Sequence, residues 1–372
     1  MMVNDKKIAF IICTNNEMWY NECVLYLSRL ELPDGFDADV LQITDAKSMA
    51  AGYNEGMHAS DAKYKIYLHH DVFIIRADFI KRVIATFQEH PEVGIMGVMG
   101  TDKIVQDGSY WNHWDSGKVY ALDAMHPYKV YKPRTYTEGI TSAKAVDGMI
   151  LMTQYDVEWR DDIFGGWDFY DISQCFEFIR KGYEVAVFHE DEISIMHDCG
   201  FSKLANYNDS REIFCKEYAE FGFVYEKPED KNELTKEKTI VNFLEEFNEM
   251  LAKDIAEAAK MVAEFYSDKL NNNTIAVLKI AFDIYQNEKN ATGVSLFVSK
   301  GDSWELLIEK YMVYKFLIRR VELDVWPEAA KELYDELKSN RISLQAIAEI
   351  ACHCCYNGAR VIYKLQDEMR AE

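Results

Sequence analysis

The feature that most constrains this chain is the order in which two hydrophobic periods alternate along its first 200 residues. Short β-rich apolar runs at 7–13, 38–43, 65–68 and 93–98 read as strands, and the segments 47–60 and 78–89 carry helical spacing between them. Strands alternating with helices imply a parallel α/β sheet flanked by helices. From 100 to about 142 the pattern fails. That stretch is rich in aromatics (Tyr110, Trp111, Trp114, Tyr120, Tyr131, Tyr136) and glycines, and it reads as an irregular excursion beside a site. Regular structure resumes with a strand at 145–152, a helix at 171–181, and strands at 184–188 and 193–197, so the sheet is expected to end near Cys199.

A change of texture follows. Residues 226–234 are charged, carry Pro228 and offer little to a core, so they read as a linker between a 1–225 α/β domain and an all-α region at 235–372. In that region Ile240, Leu244, Phe247, Leu251, Ile255 and Val262 trace one helical face. Asp302 with Glu305 resembles a capping box, and Pro327, Ser343 and Gly358 supply further helix ends.

Composition narrows the partners. The net charge of −22 argues against nucleic acid or an anionic membrane surface, so any phosphate needs a local device. The early apolar run at 8–13 is too short to span a bilayer, and no secretion signal is read, which gives a cytoplasmic address as the expectation, with the membrane reached only through a partner or a lipid-linked acceptor. Eight scattered cysteines in so long a chain suit reduced thiols.

The strongest chemical constellation is Ser48-Met-Ala-Ala-Gly-Tyr-Asn-Glu-Gly56 followed by Tyr64-Lys-Ile-Tyr-Leu-His-His-Asp71, a helix and then a strand that ends in His69, His70 and Asp71. The carboxyl edge of such a sheet is where α/β folds bind ligands. Taken alone, the triplet also reads as a strand-end turn with a capping aspartate. In its context the chain resembles the inverting family 2 glycosyltransferases of the GT-A fold, whose Ala-x-Asn-x-Gly helix precedes a strand ending in Asp-x-Asp. The resemblance implies a Rossmann-like, mixed and mainly parallel sheet. It implies that Asp71 holds Mn2+ or Mg2+ against a donor diphosphate, hard oxygen ligands suiting such ions. His69 stands in the first aspartate's place, a departure that favours manganese, because imidazole suits softer divalent metals.

A second match lies at Tyr170-Asp171-Ile172-Ser173, with Gly182-Tyr183 beginning eleven residues after Asp171, where the family begins a helix with Glu-Asp-x-Asp. The resemblance makes Asp171 the general base that takes the acceptor hydroxyl's proton, with Asp168, in Gly165-Gly-Trp-Asp168, as the alternative base. The bland reading is that both are acids at a helix start favoured by its dipole. The Phe-Tyr-Asp-Ile pattern is closer to a glycosyltransferase-like branch typified by a streptomycin-biosynthesis protein, and the likeness extends to Ile193-Ser-Ile-Met-His197, which makes His197 a second candidate metal ligand. By the same resemblance Thr14, Asn15, Asn16, Glu17, Asp45, Asn54, His69 and His70 line a pocket for a nucleotide-sugar, UDP-sugar preferred, and Asp147 and Trp167 lie on the acceptor side. The resemblance implies a glycan, a lipid-linked saccharide or another hydroxyl compound as acceptor, in bacterial glycan assembly, and the C-terminal helices, which lie outside the resemblance, are expected to recognise it, form a homo-oligomer or dock a partner enzyme.

Other signals are weaker. Cys352-His-Cys-Cys355 lies in one helical pattern and points in several directions, which speaks for buried thiols over zinc. Gly94, Gly97 and Gly100 lack a Walker lysine and the dinucleotide fingerprint. Two other readings stand beside the transferase: a sugar-nucleotide pyrophosphorylase, which needs a glycine-rich, basic first loop that Cys13-Thr-Asn-Asn-Glu17 does not offer, and an inactive GT-A fold that serves as a binding or scaffold module.

Overall fold

The computed structural model describes residues 3–226 apart from 111–112, 124–126, 137 and 201–205. The bulk of them form one compact unit, Met1–Ala121 with Lys129–Lys227, and the helices expected across 235–372 and nearly all of the expected linker lie outside the described residues.

In chain order the elements begin with β1 (Asn4–Cys13), α1 (Glu17–Leu27), β2 (Asp37–Ile43), α2 (Met49–Ala59), β3 (Ala62–His69), β4 (Val72–Ile74), α3 (Phe79–Glu89) and β5 (Val93–Gly97). They continue with β6 (Met99–Thr101), β7 (Ser116–Asp123), β8 (Pro127–Tyr131), β9 (Gly139–Ala143), β10 (Ala145–Val146) and β11 (Ile150–Thr153). The last described elements are α4 (Tyr170–Arg180), β12 (Glu184–His189), β13 (Ile195–Gly200) and α5 (Tyr207–Glu217).

The main sheet has the order β2-β1-β3-β11-β5-β12-β9. Strands β2, β1, β3, β5 and β12 run one way, while β11, wedged between β3 and β5, and the edge strand β9 run against them. The sheet is therefore mixed and mainly parallel. Its central strands are buried on both faces, as parallel strands covered by helices must be: β5 is buried throughout, and β1 from Ile8 onward. Helix α3 supplies the expected amphipathic stripe, burying Phe79, Ile80, Val83, Ile84 and Phe87.

Three expectations need correction. The segment 100–142 is not an irregular excursion: it contains β7, β8 and β9, and β7 joins a second sheet of order β10-β6-β7-β13-β4 with β8 paired to β7. The expected strand at 145–152 is broken at Asp147–Met149, so that β10 pairs β6 in the second sheet and β11 pairs β3 and β5 in the first. The expected strand at 193–197 starts at Ile195 and runs on to Gly200. Helices α1 and α5 carry too little apolar periodicity to be read from sequence. A second apolar cluster closes over α4, where Phe214, Tyr218 and Phe223, contributed by α5 and the segment after it, pack on Phe169 and Phe176.

Among the described residues no helix is long and apolar enough to cross a membrane.

Candidate functional site

The register of the first three strands sets up one edge. Cys13 lies opposite both Ile43 and His69, so β1, β2 and β3 finish level with one another. The residues just past those ends share that edge. The Thr14 hydroxyl lies 2.8 Å from His70 Nδ1, and the His70 ring meets Trp19 edge-on at 5.0 Å. Asn16 caps α1, its side-chain oxygen accepting from the Trp19 N–H at 3.2 Å. Glu17 accepts from Gln42 at 2.9 Å, and Asn15 and Asp45 are exposed, Asp45 in the left-handed backbone region with φ 58°.

After β3 the chain turns through His70 and Asp71 into β4, and β13 pairs with β4 so that His197 lies opposite Val72. That pairing brings a residue from the far end of the domain onto Asp71. His197 Nε2 stands 3.6 Å and His69 Nδ1 3.9 Å from Asp71 Oδ1, and one ligand atom from each of the three residues lies within 4.8 Å of the others. Asp71 Oδ1 is buried without a hydrogen-bond partner, because both imidazoles stand too far away to satisfy it. Burial pulls the Asp71 carboxyl upward, but His197 and then His69 hold it well below the usual carboxylate range. Burial pushes the His69 imidazole down to about 4. Burial pushes the His197 imidazole down, but Asp71, with Asp147 and Asp198, outweighs it and holds the ring above its ordinary range.

An ionised carboxylate with an orphaned oxygen, flanked by a neutral imidazole, is a fit for a divalent cation. The spacing is slightly wider than the roughly 3 Å between neighbouring donors on one small ion. Two nitrogens and one oxygen suit manganese or another borderline metal better than magnesium, which prefers oxygen.

Helix α4 brings the second half of the site. Its first residues follow Phe169, which sits at φ 62° and ψ 0°, a left-handed conformation costly for a bulky side chain and held by the packing of Phe169 on Phe214 and Tyr207. Asp171 accepts from the Gly148 N–H at 3.0 Å. Gly148 permits that approach: a Cβ there would lie 2.2 Å from the Tyr170 hydroxyl and 2.9 Å from Asp171 Cβ. Burial first, and the neighbouring Asp147 carboxylate second, push Asp171 up to about 7, against N–H donation from Ile172, Asp171 itself and Gly148. Asp147 is likewise raised by burial, and its Oδ1 accepts from the Met149 N–H at 3.0 Å.

The turn at 147–149 bridges the two halves. The Met149 carbonyl accepts from the His69 N–H at 3.1 Å on the same turn whose Gly148 N–H reaches Asp171. Asp168 is partly exposed and Trp167 exposed, both just before α4, and the Gly166 carbonyl accepts from the Met49 N–H at 3.1 Å at the start of α2. Asn54 is built differently. Its side-chain N–H2 donates to the Trp159 carbonyl and its oxygen accepts from the Trp159 N–H, both at 2.9 Å, so both ends of the amide are committed to main chain.

Two residues make contacts at the site that the sequence does not announce. The Tyr170 hydroxyl is hydrogen-bonded to His69 Nε2, 101 residues away in sequence. Lys132, from the 100–142 segment, feels the Asp147 carboxylate, which raises its ammonium against a stronger lowering by burial. Both depend on pairings between distant segments.

Among solved structures, the crystal structure of S. aureus TarS is similar to this chain at 11% identity, covering 87% of this chain and 55% of that one with a TM-score of 0.36. The chain thus spans about half the length of TarS. No curated protein matches. The model of the glycosyltransferase-like family matches residues 9–218, a span that holds Asp71, Asp171, His197 and both sheets. With more than half of its 372 residues in that match, the chain belongs to the glycosyltransferase-like family.

Proposed function

We propose that the protein is a metal-dependent inverting glycosyltransferase that moves a sugar from a nucleoside-diphosphate donor, UDP-sugar preferred, to a hydroxyl of a glycan, lipid-linked saccharide or similar acceptor. The observation that carries this reading is the orphaned, buried Oδ1 of Asp71 between His69 and His197. These three residues would hold Mn2+ or Mg2+, which when bound neutralises charge on the donor diphosphate and on the oxygen that leaves.

The chain's own groups do the rest. Thr14, Asn15, Asn16, Glu17 and Asp45 crowd the ends of β1 and β2, where a base and ribose find short polar side chains and main-chain groups, and His70 is held there by Thr14. Asn54 has a supporting part, fixing Trp159 beneath the site. Asp171 receives the acceptor proton as the oxygen attacks the anomeric carbon. A carboxyl tuned to about 7 remains ionised enough at neutral pH to act and basic enough to pull. Asp147 tunes that base, while Asp168 and Trp167 stand where an acceptor would enter. In this reading the chain works at the cytoplasmic side of bacterial glycan assembly, and residues 235–372 recognise the acceptor, oligomerise or dock a partner enzyme.

The test is slow hydrolysis. A panel of nucleotide-sugars is incubated with the intact protein and with Asp71→Ala, in manganese, magnesium or chelator. Metal-dependent release of nucleoside diphosphate from one donor, lost in the variant, carries the proposal. No turnover together with no donor-induced thermal shift overturns it and leaves a binding module on a glycosyltransferase-like fold.

A further inference from the structure

Two of the places where this chain departs from the family pattern touch each other. His69 takes the first aspartate's position at the end of β3, Tyr170 takes an acid's position at the start of α4, and the Tyr170 hydroxyl is hydrogen-bonded to His69 Nε2. An imidazole has two nitrogens on opposite sides of its ring, and a partner on one decides the tautomer and the aim of the other. Ligation through Nδ1 requires Nε2–H to donate to the tyrosine oxygen, and Nδ1 then faces Asp71 Oδ1 at 3.9 Å and the His197 ring, whose centroid is 5.6 Å from that of His69.

The tyrosine is itself held rigidly. It is 5% exposed, its ring meets Tyr53 edge-on at 5.8 Å and lies 6.3 Å from Trp159. Gly148 leaves the room its hydroxyl occupies, since any Cβ at 148 would fall 2.2 Å from that oxygen.

We propose that Tyr170 is a positioning residue of the metal centre: its hydroxyl fixes the His69 ring so that Nδ1 joins Asp71 and His197 in a ligand set of two imidazoles and one carboxylate. The inference rests on the metal-dependent reading above. It deepens that reading by assigning to a tyrosine, through histidine, the place that the family pattern gives to a carboxylate. It also makes α4 responsible for both halves of the site, because Asp171 follows Tyr170 directly.

The experiment is a Mn2+ titration of the full chain, with free Mn2+ read by its electron paramagnetic resonance signal. The set is the unmodified protein, Asp71→Ala, Tyr170→Phe, His69→Asp and the double variant His69→Asp/Tyr170→Phe. Loss of the hydroxyl in Tyr170→Phe is expected to weaken Mn2+ binding roughly 10- to 100-fold, the usual effect of removing a ligand's hydrogen-bond partner. The same change is expected to add no loss in the His69→Asp background, where no imidazole remains to be aimed. Equal affinity in Tyr170→Phe and the unmodified protein overturns the positioning role while the metal site stands. A further loss in the His69→Asp background also overturns it, since the tyrosine then acts by another route. Absence of saturable binding, or binding unchanged in Asp71→Ala, overturns the metal reading beneath it. Should Tyr170→Phe fail to fold, electron spin echo modulation of Mn2+ bound to the unmodified protein decides: nitrogen coupling from two imidazoles supports the proposal, and coupling from one overturns it.

Discussion

Asp171 stands beside a second carboxylate, with its own oxygen tied to a main-chain N–H. If it is the base, Asp171→Asn keeps the hydrogen bond from Gly148 and loses only the proton acceptor, so turnover should fall roughly 100- to 10,000-fold with donor affinity unchanged, as measured by steady-state kinetics and donor titration. The unmodified enzyme should lose kcat/KM as pH drops through about 7, because the ionised form is the active one. The same group leaves a mark on stability. A carboxyl whose pKa is raised by folding favours the folded state while protonated, and that contribution is lost as pH rises from the ordinary carboxylate range through about 7. Thermal denaturation of Asp171→Asn should therefore show a gain of at least ~4 °C at pH 8 that shrinks toward pH 5. The sequence singles out Asp71, Asp171 and His197 because each lies in a short pattern with fixed neighbours. The hydrogen bonds of Asn54 had no such pattern to announce them, since their partner, the main chain of Trp159, is 105 residues away.

Helix α2 owes its place to two glycines. A Cβ on Gly56 would lie 2.4 Å from Ile11 Cγ2, and one on Gly52 would lie 2.4 Å from Cys13 Sγ and 2.9 Å from Ala46 Cβ. The last glycine of Gly52-Tyr-Asn54-Glu-Gly56 thus lets a helix lie flush on β1. Gly56→Ala should be net destabilising, because overpacking of about 1–3 kcal/mol exceeds the ~1 kcal/mol gained in helix propensity. A denaturant midpoint shifted downward, with Mn2+ affinity preserved in the folded fraction, is the expected outcome. Helices α2, α3 and α4 and the parallel strands could be read from sequence because their burial follows a simple period. The corner at Asp147–Met149 carries a local turn signal in Asp147-Gly148, but nothing local shows that one sheet hands over to the other there. Helix α1 hides similarly: its buried Cys23, Tyr26 and Leu27 are too few to trace a stripe.

For the molecule as a whole, the described unit closes its own core. Phe214, Tyr218 and Phe223 are each at most 3% exposed, and together with α5 they cover Phe176. A fragment of residues 1–226 should unfold cooperatively and still bind Mn2+, whereas a fragment ending at 205 gives up about 1.5–3 kcal/mol for each aromatic side chain removed and should aggregate, which circular dichroism and sedimentation would show. The second sheet was illegible because its rungs join β4 with β13 and β6 with β10, and pairing across so much chain leaves no local trace. The turn at 147–149 has a consequence at this scale. It is fastened to β3 through the Met149 carbonyl, to β6 through the Asp147 N–H and to α4 through the Gly148 N–H. It works like a gauge block: two main-chain rungs and one bond to the Asp171 carboxylate set the separation between the end of the His69 strand and the start of the Asp171 helix. Side chains around the turn other than Asp171 can therefore change while the gap between strand and helix keeps its length.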